Sequence, residues 1–251
     1  MEHIKELIFK MGDDAMIIGH RNSEWTGLGP TLEEDIAFSS MAQDKVGHAT
    51  NLYEMLHESF EEDTPDNIAF NRKADAYKCC HLVEKPIGEF DFSLVRQFLF
   101  DHAEMARYQA LSNSSYEPLA NFAKKIKGEI KYHIFHADTW MTQLGNGSEE
   151  SKARLQNSLN EAMPLALGIF EPSQFEDQLI SEKVFVGEKA IQAIWLANIS
   201  KVIEHTALTL PDISSMTPSF GGRKGEHTED LQNLLNEMSE LFLQEGPGVA
   251  W

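Results

Sequence analysis

Residues 31–60 read TLEEDIAFSSMAQDKVGHATNLYEMLHESF, and this stretch decides the fold class. It opens with Thr31 and, three residues later, Glu34, which together form the capping-box pattern at helix starts. Apolar side chains then recur at helical spacing, namely Ile36, Ala37, Met41, Ala49, Leu52 and Leu56. The stretch therefore predicts one long amphipathic helix that ends at about residue 60.

The same helical periodicity recurs along the rest of the chain. One helix at about 2–25 precedes this stretch, and others are predicted at about 91–113, 118–145, 150–170, 188–209 and 226–244. Alternating runs of β-branched residues, which would indicate strands, are nearly absent. The sequence therefore predicts an all-α protein.

The order of the helices also predicts an architecture. Two helical hairpins, at about 2–60 and 91–145 with turns near Leu28 and Ser115, are joined by one long connection. This is the ferritin-like arrangement of a four-helix bundle. Additional C-terminal helices at about 150–244 are expected to pack outside the four-helix core. We therefore predict a single ferritin-like helical domain spanning residues 1–251.

Composition excludes several classes of function. The 40 acidic and 21 basic residues give a formal net charge of −19, which repels nucleic-acid phosphates and anionic lipids. No apolar run approaches the roughly 20 residues that a membrane-spanning helix needs, and the first residues do not resemble a signal peptide. The adjacent Cys79 and Cys80 are expected to be inert thiols in a reducing compartment. We therefore predict a cytoplasmic protein with no nucleic-acid or membrane partner.

Acidic residues occur at one predicted height of the bundle. Ferritin-like di-iron proteins take one Glu from each of two helices and a Glu-x-x-His motif from each of the other two. Counting outward from each hairpin turn places Asp13 level with Asp44, and Asp101 level with Glu129. Three of these four acids are Asp, one methylene shorter than the Glu that such sites use.

The histidines do not complete this pattern. The two i+3 positions hold Gly47 and Tyr132, while His48 and His133 each come one residue later, about 100° further around the helix. Three interpretations stay open: a polar network without metal, which we favour, a working di-iron centre, or a coincidental match of heights. We therefore predict no metal and no catalytic residue, but a degraded di-iron pseudo-site of Asp13, Asp44, His48, Asp101, Glu129 and His133.

Further motifs support a family resemblance. They occur at residues 11–13, 19–27, 32–37, 68–72, 82–90, 129–133, 144–147, 221–229 and 234–238, and at Trp251. Their order and spacing resemble, over essentially the whole chain, the C-type subunits of bacterial ring-1,2-phenylacetyl-CoA epoxidase. These belong to a ferritin-like family that also contains the A-type subunits. Cys79, Cys80 and His48 are departures from this resemblance.

The resemblance implies a non-catalytic structural subunit of a monooxygenase complex in phenylacetate catabolism. Its partners would be a homologous di-iron catalytic subunit, a small B-type subunit and a reductase. The complex converts the ring of phenylacetyl-CoA to a 1,2-epoxide with O₂ and NADPH. No cofactor is expected in this chain, since the di-iron centre would lie in the catalytic subunit. The alternative function is a metal-binding ferritin-like oxidase or oxygenase that acts alone.

The segment Gly221-Gly222-Arg223-Lys224-Gly225 stands out before the last predicted helix. It brings two adjacent cations together in an acidic chain, and glycines let a backbone approach a partner closely. A helix start near residue 226 would also favour an anion. We therefore predict that Arg223 and Lys224 contact a partner subunit or a CoA phosphate, with an ordinary turn as the alternative.

Overall fold

The computed structural model describes residues 1–245, so Trp251 lies outside the described part. The described chain contains α-helices and short 3₁₀ turns but no strand, which confirms the all-α prediction. Within residues 1–245, ten α-helices follow one another: α1 Glu2–Ser23, α2 Leu32–Phe60, α3 Pro65–Phe70, α4 His81–Glu84, α5 Phe90–Leu111, α6 Glu117–Gly145, α7 Glu149–Leu167, α8 Glu176–Ser181, α9 Glu188–Ile203 and α10 Glu229–Glu245. None of these helices in residues 1–245 is long and apolar enough to cross a bilayer.

The chain divides into two compact units. Unit 1 combines Met1–Pro86 with the residues from Phe220 onward, and unit 2 is the continuous segment Ile87–Ser219. Unit 1 therefore holds α1 to α4 and α10, while unit 2 holds α5 to α9. The single ferritin-like domain stays a prediction.

In unit 1, α1 packs along α2. Thr31 caps α2 as predicted, because the Glu34 amide donates to the Thr31 hydroxyl at 3.4 Å. The Gly29 amide donates to the Asp35 carboxylate at 2.6 Å, and this bond holds the reversal of the chain. Trp25 still lies alongside α2, with its ring centroid 6.0 Å from that of Phe38. The connection spans residues 24–31, but facing residues of α1 and α2 pair about a centre near residue 32, later than the turn predicted near residue 28.

In unit 2, α5 packs against α6, α7 and α9. The fully buried indole of Trp195 on α9 donates to the Leu99 carbonyl of α5 at 2.9 Å. A second link between these helices is the buried ion pair of Arg107 with Glu188, at 2.7 Å. Helix α7 begins at a side-chain cap, since the Ser148 hydroxyl accepts from the Ser151 amide at 3.1 Å. These contacts make α5 the central helix of the unit.

Candidate functional site

Asp13, the first residue of the predicted pseudo-site, is fully buried on α1. Its carboxylate accepts from the Tyr53 hydroxyl at 2.7 Å, from the Arg72 guanidinium at 2.5 and 3.1 Å, and from the Lys78 amide at 2.7 Å. Burial raises the pKa of Tyr53 well above its usual value, and the neighbouring Asp13 carboxylate raises it further. The Arg72 guanidinium also lies over the Tyr77 ring, 4.0 Å from its centroid. The four hydrogen bonds that the Asp13 carboxylate accepts therefore all come from donors within unit 1.

The structure corrects the predicted height match of Asp13 with Asp44. A Cβ added at Gly12 would lie 3.5 Å from the Cβ of Leu52, and Asp13 itself bonds Tyr53. The level of Asp13 is therefore near Leu52, eight residues beyond Asp44, which is about 12 Å along the helix axis. Asp44 is half-buried at its own level. The reason is the late turn of the hairpin, which shifts the facing residues of α2 toward its C-terminal half.

The two predicted imidazoles, His48 on α2 and His133 on α6, are both buried. In unit 2, His133 Nδ1 lies 3.9 Å from an oxygen of the buried Asp101, whose other oxygen accepts from the Gln97 amide. Glu129 is exposed and so does not share this buried face of α6. The acid of α5 therefore faces the histidine of α6 instead of its predicted carboxylate partner.

Arg223 was predicted to contact a partner or a CoA phosphate, and the structure shows its contacts within unit 1. Its guanidinium is buried and donates to both oxygens of Asp14, at 2.7 and 2.8 Å, and to the Lys78 carbonyl at 2.7 Å. The Cys80 amide donates to the same Asp14 carboxylate at 2.8 Å. Lys224 is exposed, so a contact with another molecule would depend on Lys224 alone.

The glycines of this segment serve a close approach within unit 1. A Cβ at Gly222 would lie 2.2 Å from the Cys79 carbonyl oxygen, and one at Gly225 would lie 2.2 Å from the Asp75 carbonyl oxygen. Gly225 also has a φ of +85°, which side chains rarely adopt. The segment 221–225 is therefore seated on residues 75–79 of its own chain.

A cluster that the sequence analysis did not predict lies beside this segment. It consists of Cys79, Glu84 at the end of α4, and His227 just before α10, and their potential ligand atoms lie within 4.8 Å of one another. His227 Nδ1 is 2.7 Å from Glu84 Oε1, and Cys79 Sγ is 4.0 Å from each of these two atoms. The side chains of Glu84 and His227 are 0% and 3% exposed. Three side chains of metal-ligand type therefore converge in a buried space.

Two of the three ligand side chains in this cluster, His227 and Glu84, are oriented by neighbours. The Nε2–H of His227 donates to the Tyr77 carbonyl at 3.0 Å, which directs Nδ1 toward Glu84. The second Glu84 oxygen accepts from the Thr228 amide at 2.9 Å and from the Thr228 hydroxyl at 2.6 Å. Burial would raise the pKa of Glu84, but the hydrogen bonds from His227 and Thr228 outweigh it, so the pKa is lowered. Burial raises the pKa of the Cys79 thiol well above its usual value, and the Glu84 carboxylate raises it further.

The sequence gives little sign of this cluster. Cys79 and His227 are 148 residues apart, and no short spacing motif joins them. The signals are the adjacent cysteine pair, which departs from the family resemblance, and the motifs at residues 82–90 and 221–229, which contain Glu84 and His227. Within the described residues Cys79 and Cys80 are buried thiols that form no disulfide.

Comparison with known proteins gives a consistent picture. A family model described as "Phenylacetic acid catabolic protein" matches residues 1–251. The chain is 29% identical to the C subunit of 1,2-phenylacetyl-CoA epoxidase from Escherichia coli (strain K12), over 252 residues that cover 100% of both chains. It is 28% identical to the A subunit of the epoxidase from the same organism over 174 residues, which are 67% of this chain and 55% of that protein. The resemblance stated from the sequence motifs is therefore confirmed.

Proposed function

Because this chain belongs to the phenylacetic acid catabolic protein family, we propose that it is the non-catalytic C-type subunit of a phenylacetyl-CoA 1,2-epoxidase. In this role it supports a homologous di-iron catalytic subunit of A type, together with a small B-type subunit and a reductase. It carries no di-iron cofactor of its own. We also propose that its helices form a ferritin-like four-helix bundle within one domain.

The coverage of the two relatives carries this proposal. Similarity to the Escherichia coli C-type protein runs through 100% of both chains, whereas similarity to the A-type protein spans only 55% of that protein. A chain of A type would be expected to match the A-type protein over most of its length. The comparison therefore favours the C-type role over the catalytic one.

The carboxylates of the pseudo-site support the same role, because their positions and hydrogen bonds do not fit a di-iron centre. The four lone-pair directions of the Asp13 carboxylate are used by a phenol, two guanidinium N–H groups and a backbone amide. Asp44 lies about 12 Å from the level of Asp13 along α2, and Glu129 is exposed. A di-iron centre needs one carboxylate from each helix, all directed inward at one level.

Co-expression of this chain with the A-type subunit from its own source organism tests the proposal. We expect the two proteins to co-purify, and the catalytic subunit to lose solubility or activity when this chain is omitted. The chain alone should not epoxidise phenylacetyl-CoA. A catalytic subunit that works equally well without this chain would contradict the structural role. About two irons per purified chain, with oxidase activity, would support the free-standing oxidase instead.

Lys224 is the remaining candidate for a contact outside the chain. We propose that Lys224→Glu weakens association with the catalytic subunit in a salt-dependent manner, or raises the KM for the CoA ester. Lys125→Glu, which changes an exposed lysine of α6 by the same charge, is the matched control. If both variants associate and react like the unsubstituted chain, segment 221–225 is only an internal turn.

A further inference from the structure

We propose that Cys79, Glu84 and His227 form a binding site for a divalent transition-metal ion of the zinc class, within unit 1. This site uses none of the residues predicted for the di-iron pseudo-site. It is also independent of the proposed subunit role, because all three ligands belong to this chain. The inference begins with the geometry of the three ligand atoms.

The separations of the ligand atoms match the bond lengths of zinc. Zinc binds imidazole nitrogen and carboxylate oxygen at about 2.0 Å and thiolate sulfur at about 2.3 Å. With Nδ1 and Oε1 2.7 Å apart and Sγ 4.0 Å from each, one point between the three atoms satisfies all three lengths. A tetrahedral arrangement would need the contact of Nδ1 with Oε1 to widen by about 0.5 Å and Sγ to approach both atoms by about 0.5 Å. The cluster therefore needs only a small adjustment to bind the ion.

The surroundings of the cluster resemble the outer shell of a metal site. Metal-binding histidines commonly donate their other N–H to a carbonyl or carboxylate, and ligating carboxylates are themselves hydrogen-bonded. Here the Nε2–H of His227 donates to the Tyr77 carbonyl, so a bound ion would replace the proton on Nδ1, and Thr228 holds the second oxygen of Glu84. Nδ1 and Oε1 are thus the atoms left to face Cys79 Sγ. A simple ion pair of Glu84 with His227 would explain their 2.7 Å contact but assigns no role to the sulfur.

The choice of ion follows from the ligand types. A thiolate excludes the hard cations Mg²⁺ and Ca²⁺, which prefer oxygen ligands. Sulfur, imidazole and carboxylate together suit Zn²⁺, with a fourth position left for water or another ligand. The ligands come from residues 79–84 and from residue 227, just before α10. A bound ion would therefore fasten the start of α10 to the segment around α4.

Spectroscopic titration of the full chain tests this site. The purified chain is stripped with a chelator and titrated with Co²⁺, whose bond to a thiolate gives a charge-transfer band. We expect one ion per chain, displaced by Zn²⁺. Cys79→Ser should lose the band and bind at least about 100-fold more weakly. Cys80→Ser is the matched control, because Cys80 is the adjacent buried thiol and lies outside the cluster, and it should retain the band.

Two further measurements do not depend on the folding of a cysteine variant. Thr228→Val removes one hydrogen bond to Glu84 and should weaken binding about 10–100-fold. In the unsubstituted chain, Zn²⁺ at about 100 times its Kd should raise the melting temperature by roughly 5–10 °C. The absence of a thiolate band, equal loss of the band in both cysteine variants, or an unchanged melting temperature would each overturn the proposal.

Discussion

Replacing Arg223 with methionine is expected to lower the free energy of unfolding by about 3–5 kcal/mol, the usual cost of removing one partner of a buried ion pair. Methionine keeps much of the apolar stem but removes the charge. The Asp14 carboxylate, 3% exposed, would lose both guanidinium bonds and keep the bond from the Cys80 amide. For a chain of this size the cost corresponds to a fall in melting temperature of about 6–20 °C.

The assay is thermal and urea unfolding followed by far-UV circular dichroism. Lys224→Met provides a matched control, because it makes the same charge change at the next, exposed residue and should cost less than about 0.5 kcal/mol. Adding Asp14→Leu to Arg223→Met should recover part of the loss, since a buried ion pair replaced by apolar residues is often close to neutral.

The reasoning would be refuted if Arg223→Met were as stable as Lys224→Met to within about 1 kcal/mol. In that case the ion pair with Asp14 would not be needed to seat segment 221–225. If the stable variant also associated weakly with the catalytic subunit, the predicted partner contact of Arg223 would be restored.

Further changes have equally definite expectations. Gly222→Ala should destabilise the chain by about 1–3 kcal/mol, because its new Cβ would lie 2.2 Å from a backbone carbonyl. Gly47→Ala, whose Cβ meets nothing within 4 Å inside α2, should instead stabilise it by about 0.5–1 kcal/mol, and thermal melts would distinguish the two. Metal analysis of the purified chain should find far fewer than about two irons per chain, and a value near two would revive the oxidase. For Asp91, burial raises the pKa, but bonds from Ser158 and Arg154 outweigh it and hold the pKa below 3.8. The ionised Asp91 therefore stabilises the fold above pH 3.8, and this contribution is lost as the pH falls through the lower pKa of the folded state. In Asp91→Asn, the melting temperature should consequently fall less on acidification, which thermal melts across a pH series would measure.

The helices could be predicted from the sequence because their signals are local. The capping box at Thr31 and the apolar stripe after it predicted a helix that the structure places at Leu32–Phe60. The relative heights of residues on facing helices could not be predicted in the same way. They depend on the bond between Gly29 and Asp35 and on the packing of Trp25, which are tertiary contacts of a loop. A later turn moves every facing pair along the helix, and Asp44 lost its predicted partner for this reason.

The polar clusters were hardest to predict because their members are distant in sequence. The pair of Arg223 with Asp14 spans 209 residues, and that of Cys79 with His227 spans 148. The adjacent glycines, Arg223 and Lys224 predicted a close contact with another group. The sequence alone does not say whether that group belongs to another molecule or to the same chain. In the structure that neighbour is the backbone of residues 75–79.

The discontinuity of unit 1 has a consequence for how the protein is made. The 133 residues of unit 2, 87–219, leave the ribosome between the two parts of unit 1. At about 5–20 residues per second, this separates the two parts by roughly 7–27 s of synthesis. During that interval Asp14 and Glu84 have been synthesised, but Arg223 and Thr228 have not. Unit 2 is contiguous and can fold first, whereas Asp14 and Glu84 of unit 1 receive their donors from residues 223–228 only afterwards. A chain whose translation stops before residue 220 would therefore lack the side chains that neutralise Asp14 and Glu84 in the finished protein.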